Sequence, residues 1–281
     1  MIREIKAGQI TAAVRELSIS ACRQLGSDWW AAMERAEQAE TDARARQVLA
    51  LLQENARLAR REGLPICQDT GITVVFLAIG QDVHITGGDL NEAVAEGVRQ
   101  GYRDGYLRKS IVADPLLRVN TGDNTPPVIY SKIVPGDQLR ITVAPKGIGS
   151  ENMSAMRMLR PADGRAGVVR FVLEVVEKAG ANPCPPLLIG VGMGGTMDKA
   201  AVIAKRSLLR PIGEPHPDQH IADLEKELLK RVNGTGIGPA GLGGVTTALA
   251  VHVQTWPTHI GGLPVAVNLQ CHAARHAEVV L

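Results

Sequence analysis

The chain has 281 residues, of which 45% are hydrophobic and 21% charged, and its formal net charge is +2 at pH 7. These values belong to a soluble globular protein and exclude the strong one-sign field of a nucleic-acid-binding chain. No stretch approaches the about 20 apolar residues of a membrane span, and the start, Met1-Ile2-Arg3-Glu4-Ile5-Lys6, has no apolar leader. Four cysteines in a chain this long do not form a disulfide framework, so a reducing, cytoplasmic compartment is expected. With aromatics at only 3%, the core must rest on Val, Leu, Ile, Ala and Met.

In chain order, residues 8–24 and 41–61 are rich in Ala, Arg, Leu, Gln and Glu and predict helices. The second should end at Gly63, with Pro65 blocking its continuation. The β-branched run Ile72 to Ile79 predicts a buried strand, and Asp89 with Glu92 predicts a capped helix to about Tyr106. Residues 114–127 are rich in Pro, Gly and Asn and predict a binding loop. Val128–Ile133 and Leu139–Val143 flank Pro135-Gly136-Asp137, a hairpin signal. Beyond it, Val168–Lys178 predicts a helix, Leu187–Val191 a strand and Asp198–Leu208 a helix. Ile221, Leu224, Leu228 and Val232 mark an amphipathic helix, followed by strands at Val245–Val253 and Val265–Leu269. The expected fold class is mixed α/β, with a helical N-terminal third followed by alternating strands and helices in small sheets. No internal repeat or linker is visible, so residues 1–281 are expected to form a single domain.

Three of the four cysteines lie in turn-like segments far apart in sequence. Cys67 belongs to Pro65-Ile66-Cys67-Gln68-Asp69-Thr70-Gly71, Cys184 to Asn182-Pro183-Cys184-Pro185-Pro186, and Cys271 to Asn268-Leu269-Gln270-Cys271-His272. Each also reads as an ordinary turn or strand end with a structural thiol. The prolines around Cys184 fix a stiff strand entrance suited to presenting a ligand. If the three thiolates converge on a cubane iron–sulfur group, one iron is left without a protein ligand and open to Lewis-acid chemistry. Cys22, in a helical run, reads as packing.

Gly190-Val191-Gly192-Met193-Gly194-Gly195 fits G-x-G-x-x-G between a strand and a helix, but no acid-ending strand follows. A backbone nest at a helix N-terminus, suited to a carboxylate or to cluster sulfides, is the preferred reading over a dinucleotide site. Lys146-Gly147-Ile148-Gly149-Ser150-Glu151-Asn152 leaves backbone N–H groups for an anion, or is a plain glycine turn. Arg108 and Arg118 place cations around the long loop, suited to carboxylate or forming a solvated face. His259 lies in the Gly/Pro turn Pro257-Thr258-His259-Ile260-Gly261-Gly262, where a surface histidine is the alternative.

In this order, the Cys67 motif, the Lys146–Asn152 turn, Cys184-Pro185-Pro186 with Gly190–Gly195, and Pro264-Val265-Ala266-Val267-Asn268-Leu269-Gln270-Cys271 closely resemble the α subunit, or N-terminal domain, of iron–sulfur class I fumarate hydratases. L-tartrate dehydratase α subunits belong to the same family. The resemblance runs from about Ile5 to the C-terminus. It implies a [4Fe–4S] cluster on Cys67, Cys184 and Cys271 and reversible hydration of fumarate to L-malate, with L-tartrate dehydration as the alternative. It implies a small dicarboxylate held by Gln68, Asp69, Arg108, Lys146, Gly147 and Gly149, and active-site roles for Asp69 and His259. Single-chain members continue into a further domain that supplies the base, a threonine, with Arg and Lys contacts. This chain is therefore expected to work with a separate β subunit, in an α2β2 heteromer. Two competing classes are a non-catalytic iron–sulfur or zinc protein using four cysteines and a dinucleotide-dependent oxidoreductase.

Overall fold

The computed structural model describes residues 2–281. Its elements run β1 (Arg3–Lys6), α1 (Ala7–Arg23), α2 (Ser27–Ala39), α3 (Ala43–Glu62), β2 (Ile72–Gly80), β3 (Val83–Thr86), α4 (Leu90–Asp104), β4 (Val128–Val134), β5 (Leu139–Lys146), α5 (Ile148–Glu151) and β6 (Ala155–Leu159). They continue α6 (Gly164–Ala179), β7 (Leu187–Gly194), α7 (Met197–Ser207), α8 (Gln219–Asn233), β8 (Ala248–Trp256), β9 (Leu263–Gln270) and β10 (Ala277–Val280). This is the expected mixed α/β class, with small sheets after a helical start. The chain divides into two compact units. One comprises Met1–Leu25, Ala56–Ile148 and Arg275–Leu281; the other comprises Gly26–Asn55 and Gly149–Ala274. Among the described residues no helix is long and apolar enough to cross a membrane.

In the first unit, β1 pairs in parallel with β3, and a four-stranded sheet has the order β10-β5-β2-β4. The hairpin expected between β4 and β5 does not form. β2 lies between them, parallel to β4 and antiparallel to β5. The reason is burial: Val74, Val75, Phe76 and Leu77 are nearly inaccessible, so β2 needs a neighbour on both sides, whereas Ser131, Lys132 and Ile133 leave β4 as an exposed edge. The Pro135-Gly136-Asp137 turn passes over the end of β2. Gly80 N–H donates to Gln138 O at 2.8 Å, and Asp82 N–H to Gly136 O at 3.0 Å. Helices α1 and α4 pack through Ile10, Val14, Leu17, Val94, Val98 and Tyr102. Gly97 and Gly101 permit their close approach, since a Cβ at Gly97 would lie 2.7 Å from Thr11 O. Asp89 caps α4 as expected, its Oδ1 accepting from Glu92 N–H at 2.9 Å.

In the second unit the sheet order is β6-β9-β7-β8, with β7 parallel to β8 and antiparallel to β9. Helices α6 and α8 cover the sheet through Val168, Val172, Val176, Leu224, Leu228 and Val232. Helix α7 packs against β7 and β9 through Ala200 and Ala204. Gly190 and Gly192 are strand residues beneath α7, not a phosphate loop or a nest. A Cβ at either would lie 2.1 Å from a carbonyl oxygen of α7, Ala204 O or Ala200 O. The Gly-x-Gly spacing therefore serves helix–sheet contact. Gly244 is likewise structural: a Cβ on it would strike Ala45 and the carboxylate of buried Glu40. That carboxylate accepts from the N–H groups of Thr41, Asp42, Val245 and Thr246. These bonds outweigh burial and hold it below the usual carboxylate range.

Buried His252 on β8 is pushed down to about 4, chiefly by burial and next by the Arg210 cation, with Glu225 opposing. The unfolded chain takes up this proton near 6.5 and the folded chain only near 4, so the unfolded state binds more protons between those values. Stability is thus full above about pH 6.5 and falls toward pH 4, by ~3 kcal/mol from this group. Denaturant titrations across that range should show the fall, and His252→Gln should flatten it. An unchanged slope in the variant would contradict this assignment.

Candidate functional site

The first unit gathers most of the expected residues around one loop. Between α3 and β2, Gly63 has φ 66° and ends the helix, and Pro65 starts the turn that carries Cys67. Ile66 N–H donates to Cys22 O at 2.9 Å, tying the loop to the end of α1. Cys67 is half-buried; its thiol donates to Gln68 Oε1 at 3.2 Å, and its sulfur accepts from Asp69 N–H at 3.4 Å. Gln68 is exposed beside it.

The next three carbonyls of the loop are each held by a side chain from elsewhere in the unit. Arg275 Nη1 donates to Asp69 O. Tyr102 Oη lies 2.7 Å from Thr70 O and 3.1 Å from Gly71 O, and Asn124 Nδ2 donates to Gly71 O at 3.3 Å. Thr70 Oγ1 donates in turn to Arg108 O at 3.0 Å, and Asn124 Oδ1 accepts from Ser110 N–H at 2.7 Å. The long loop is therefore anchored to the Cys67 loop, and Arg108 starts beside it with an exposed side chain. Asp123 accepts from Thr125 and from Arg99, and these bonds overcome burial and bring its carboxyl down to about 2.

Asp69 closes the other side. Its Oδ1 accepts from Gly71 N–H at 2.9 Å and its Oδ2 from Ile148 N–H at 2.8 Å. Ile148 N–H is thus already engaged within the chain. Lys146 is buried at the end of β5, its Nζ 3.5 Å from Gly147 O. Gly147 is closely surrounded: a Cβ would meet Arg275 Nη2 at 2.9 Å and Asp69 Oδ2 at 3.3 Å, both ends of side chains. Gly71, with φ 78°, is required, since its Cβ would lie 2.6 Å from the Lys146 backbone.

In the second unit the sheet register brings two cysteine segments together. β7 and β9 are antiparallel, with Leu188 opposite Gln270. Cys184, just before β7, and Cys271, just after β9, therefore occupy the same sheet end. His272 joins them: its N–H donates to Cys184 O at 3.3 Å and its Nδ1 lies 3.3 Å from the same oxygen. Trp29 Nε1 donates to His272 O at 2.6 Å. Cys184 is exposed with φ 56°, a left-handed conformation that a non-glycine residue holds only where its surroundings impose it. Half-buried Cys271 has Gln270 Nε2 3.9 Å from its sulfur. Gly149 lies at this end too, its Cβ position 3.8 Å from Asn182 O. Glu151 also belongs here, bonded to Lys205 Nζ at 2.5 Å and Asn268 Nδ2 at 3.0 Å.

His259 is not brought to that end. It lies in the turn between β8 and β9, beside Gly195, Thr196, Lys199 and Trp256. The 8 residues of β7 separate the two ends of the sheet, a span of about 26 Å. Its Nδ1 accepts from Gly261 N–H at 3.1 Å.

None of the four cysteines is in a disulfide. Cys22 is fully buried, and burial pushes its thiol up to about 11, the character of a packing residue. Cys67, Cys184 and Cys271 sit instead at loop positions, half-buried or exposed, with N–H donors at two of the sulfurs. Such a soft donor set fits an iron–sulfur group. Among the described residues no three His, Cys, Asp or Glu side chains form a site for a single metal ion. Sequence reasoning missed Arg275, Tyr102 and His272. Only His272, next to Cys271, had a positional signal.

The fumarate hydratase (Fumerase) family model matches residues 11–280. A protein of Methanocaldococcus jannaschii, provisionally named L(+)-tartrate dehydratase subunit alpha, is 42% identical over 275 residues, 96% of this chain and 96% of that protein. The L(+)-tartrate dehydratase subunit alpha of Escherichia coli O157:H7 is 33% identical over 247 residues, 86% of this chain and 81% of its own. Its counterpart in strain K12 matches to the same extent.

Removing the Tyr102 hydroxyl takes the nearest donor from the buried Thr70 carbonyl, while Gly71 O keeps Asn124 Nδ2. Tyr102→Phe, which keeps the ring, should destabilise the chain by about 1–3 kcal/mol in denaturant titrations. A change below about 0.5 kcal/mol would mean that the bond does not hold the loop.

Proposed function

The chain belongs to the fumarate hydratase (Fumerase) family, and on that premise we propose that it is the α subunit of a [4Fe–4S]-dependent hydro-lyase that reversibly hydrates fumarate to L-malate. Cys67, Cys184 and Cys271 would hold the cluster. The observation that carries the reading is the β7/β9 register, which sets Cys184 and Cys271 at one sheet end beside the Gly149–Glu151 turn. When bound, the cluster supplies an open Lewis-acidic iron for the departing hydroxyl group.

The chain's own residues handle the rest of the substrate. The Gln68 amide and Arg108 guanidinium orient carboxylates, since both stand on segments fixed to the Cys67 loop. Turn amides at Gly147 and Gly149 and the nearby Lys146 stabilise negative charge as it builds on the carboxylate. Asp69 acts first as the tie between the Cys67 loop and this turn, through Ile148 N–H. The base that takes the C–H proton comes from a separate β subunit in an α2β2 assembly. That partner's existence is supported by the word subunit in the relatives' names. Cluster-binding thiolates would need a reducing compartment, which supports a cytoplasmic assignment.

A second reading is L-tartrate dehydration by the same machinery. It is favoured by the names of the relatives above, which cover most of the chain. Anaerobic reconstitution with the β subunit, followed by assays on fumarate, L-malate and L-tartrate, separates the readings. Interconversion of fumarate and malate is the expected result, while turnover of L-tartrate alone moves the assignment to the second reading. A fully loaded complex inert toward all three would overturn both.

A further inference from the structure

Three loop carbonyls in a row, those of Asp69, Thr70 and Gly71, are held by side chains from distant segments. Two of the holders, Tyr102 and Asn124, are neutral. The third is Arg275, a cation only 4% exposed. A buried guanidinium is costly unless its donors are used, so its presence behind this loop calls for a role. Nη1 donates to Asp69 O, Nη2 lies 2.9 Å from where a Cβ on Gly147 would stand, and the group lies near enough to Cys22 to oppose the effect of burial on that thiol. Asp69 itself fixes the turn through Ile148 N–H, and its own N–H donates to the Cys67 sulfur. One guanidinium thus sets the main chain on which Cys67, Asp69 and the Lys146-Gly147 turn all depend.

We infer that Arg275 is the positioning residue of the Cys67 loop, fixing Cys67 and Asp69 in the geometry that receives the cluster and the dicarboxylate. The inference rests on the reading of Cys67 as a cluster ligand. It assigns no proton transfer to Arg275. The group acts through Asp69 O, and its planar fork fills the space left beside Gly147 while it does so, which a lysine ammonium cannot match. Groups that orient metal ligands in this way change metal affinity or activity by about 10- to 100-fold when removed.

The test compares full-length Arg275→Met, Arg275→Lys and wild type by amide hydrogen exchange in the metal-free chain, then by iron uptake on anaerobic reconstitution. In Arg275→Met, exchange at the Asp69, Gly71 and Ile148 amides should rise about 10- to 100-fold, with β7 and β9 unchanged. Iron uptake should fall in the same variant, and Arg275→Lys should lie between it and wild type. Unchanged loop protection in Arg275→Met would overturn the inference. So would a uniform loss of protection across the whole unit, because that marks a merely structural residue. If Arg275→Met fails to fold, Gly147→Ala displaces the guanidinium while keeping its charge, and should raise exchange at the same three amides. Absence of iron uptake by the wild type would overturn the functional reading, while the exchange result would still decide the role of Arg275.

Discussion

The antiparallel pairing of β7 with β9 is the constraint from which the candidate site follows. Two strands whose sequences lie far apart run in opposite directions side by side, so the residue before one and the residue after the other share an edge. A register slip of one residue would exchange the two faces of β7, setting Ile189 and Val191 where Gly190 and Gly192 lie under α7 and taking them out of the core they share with Leu269. Burial of those side chains therefore fixes where Cys184 and Cys271 stand. Gly190 and Gly192 make the arrangement possible, because α7 lies so close to β7 that any side chain there would enter its backbone. The glycine-rich strand belongs to packing, and packing delivers the cysteines.

The first unit solves a different problem. A loop that must offer a thiol and an amide to solvent cannot rely on its own burial for rigidity. Here the rigidity comes from hydrogen bonds to the main chain: Arg275, Tyr102 and Asn124 on the carbonyls, and Asp69 on the amides of Gly71 and Ile148. The donors come from a terminal segment, from the end of α4 and from the long loop. Each such contact gives net stability of about 1 kcal/mol, yet leaving one buried carbonyl unpaired costs more. The loop is held by the cost of the alternatives.

Much of this was legible in the residues. Periodicity and caps located α1, α3, α4 and α8, and the Asp89 cap formed as its spacing predicts. Pairing was less legible. Pro135-Gly136-Asp137 looks like a hairpin turn, but local turn chemistry does not register that β2 is too apolar to lie at an edge. Helix α2 was passed over, although Trp29, Ala32, Met33 and Ala36 bury on one face, because small alanines make a weak stripe. The short strands β1, β3, β6 and β10 carry too few residues for a pattern. At the site, cysteines and their polar neighbours announce themselves by type. Arg275 and Tyr102 do not, because what they recognise is a carbonyl, and every residue has one. His259 was legible by type and by its Gly/Pro turn, but its place at the opposite end of β9 from Cys271 follows from strand pairing, which the turn does not encode.

The central claim is that three cysteines of four hold an iron–sulfur cluster. Iron and acid-labile sulfide per chain, measured after anaerobic reconstitution of wild type and of the four single Cys→Ser variants, test it most directly. The account predicts a sharp loss of iron in Cys67→Ser, Cys184→Ser and Cys271→Ser, and wild-type iron in Cys22→Ser. Iron lost equally in all four variants, or retained in any of the first three, would contradict it.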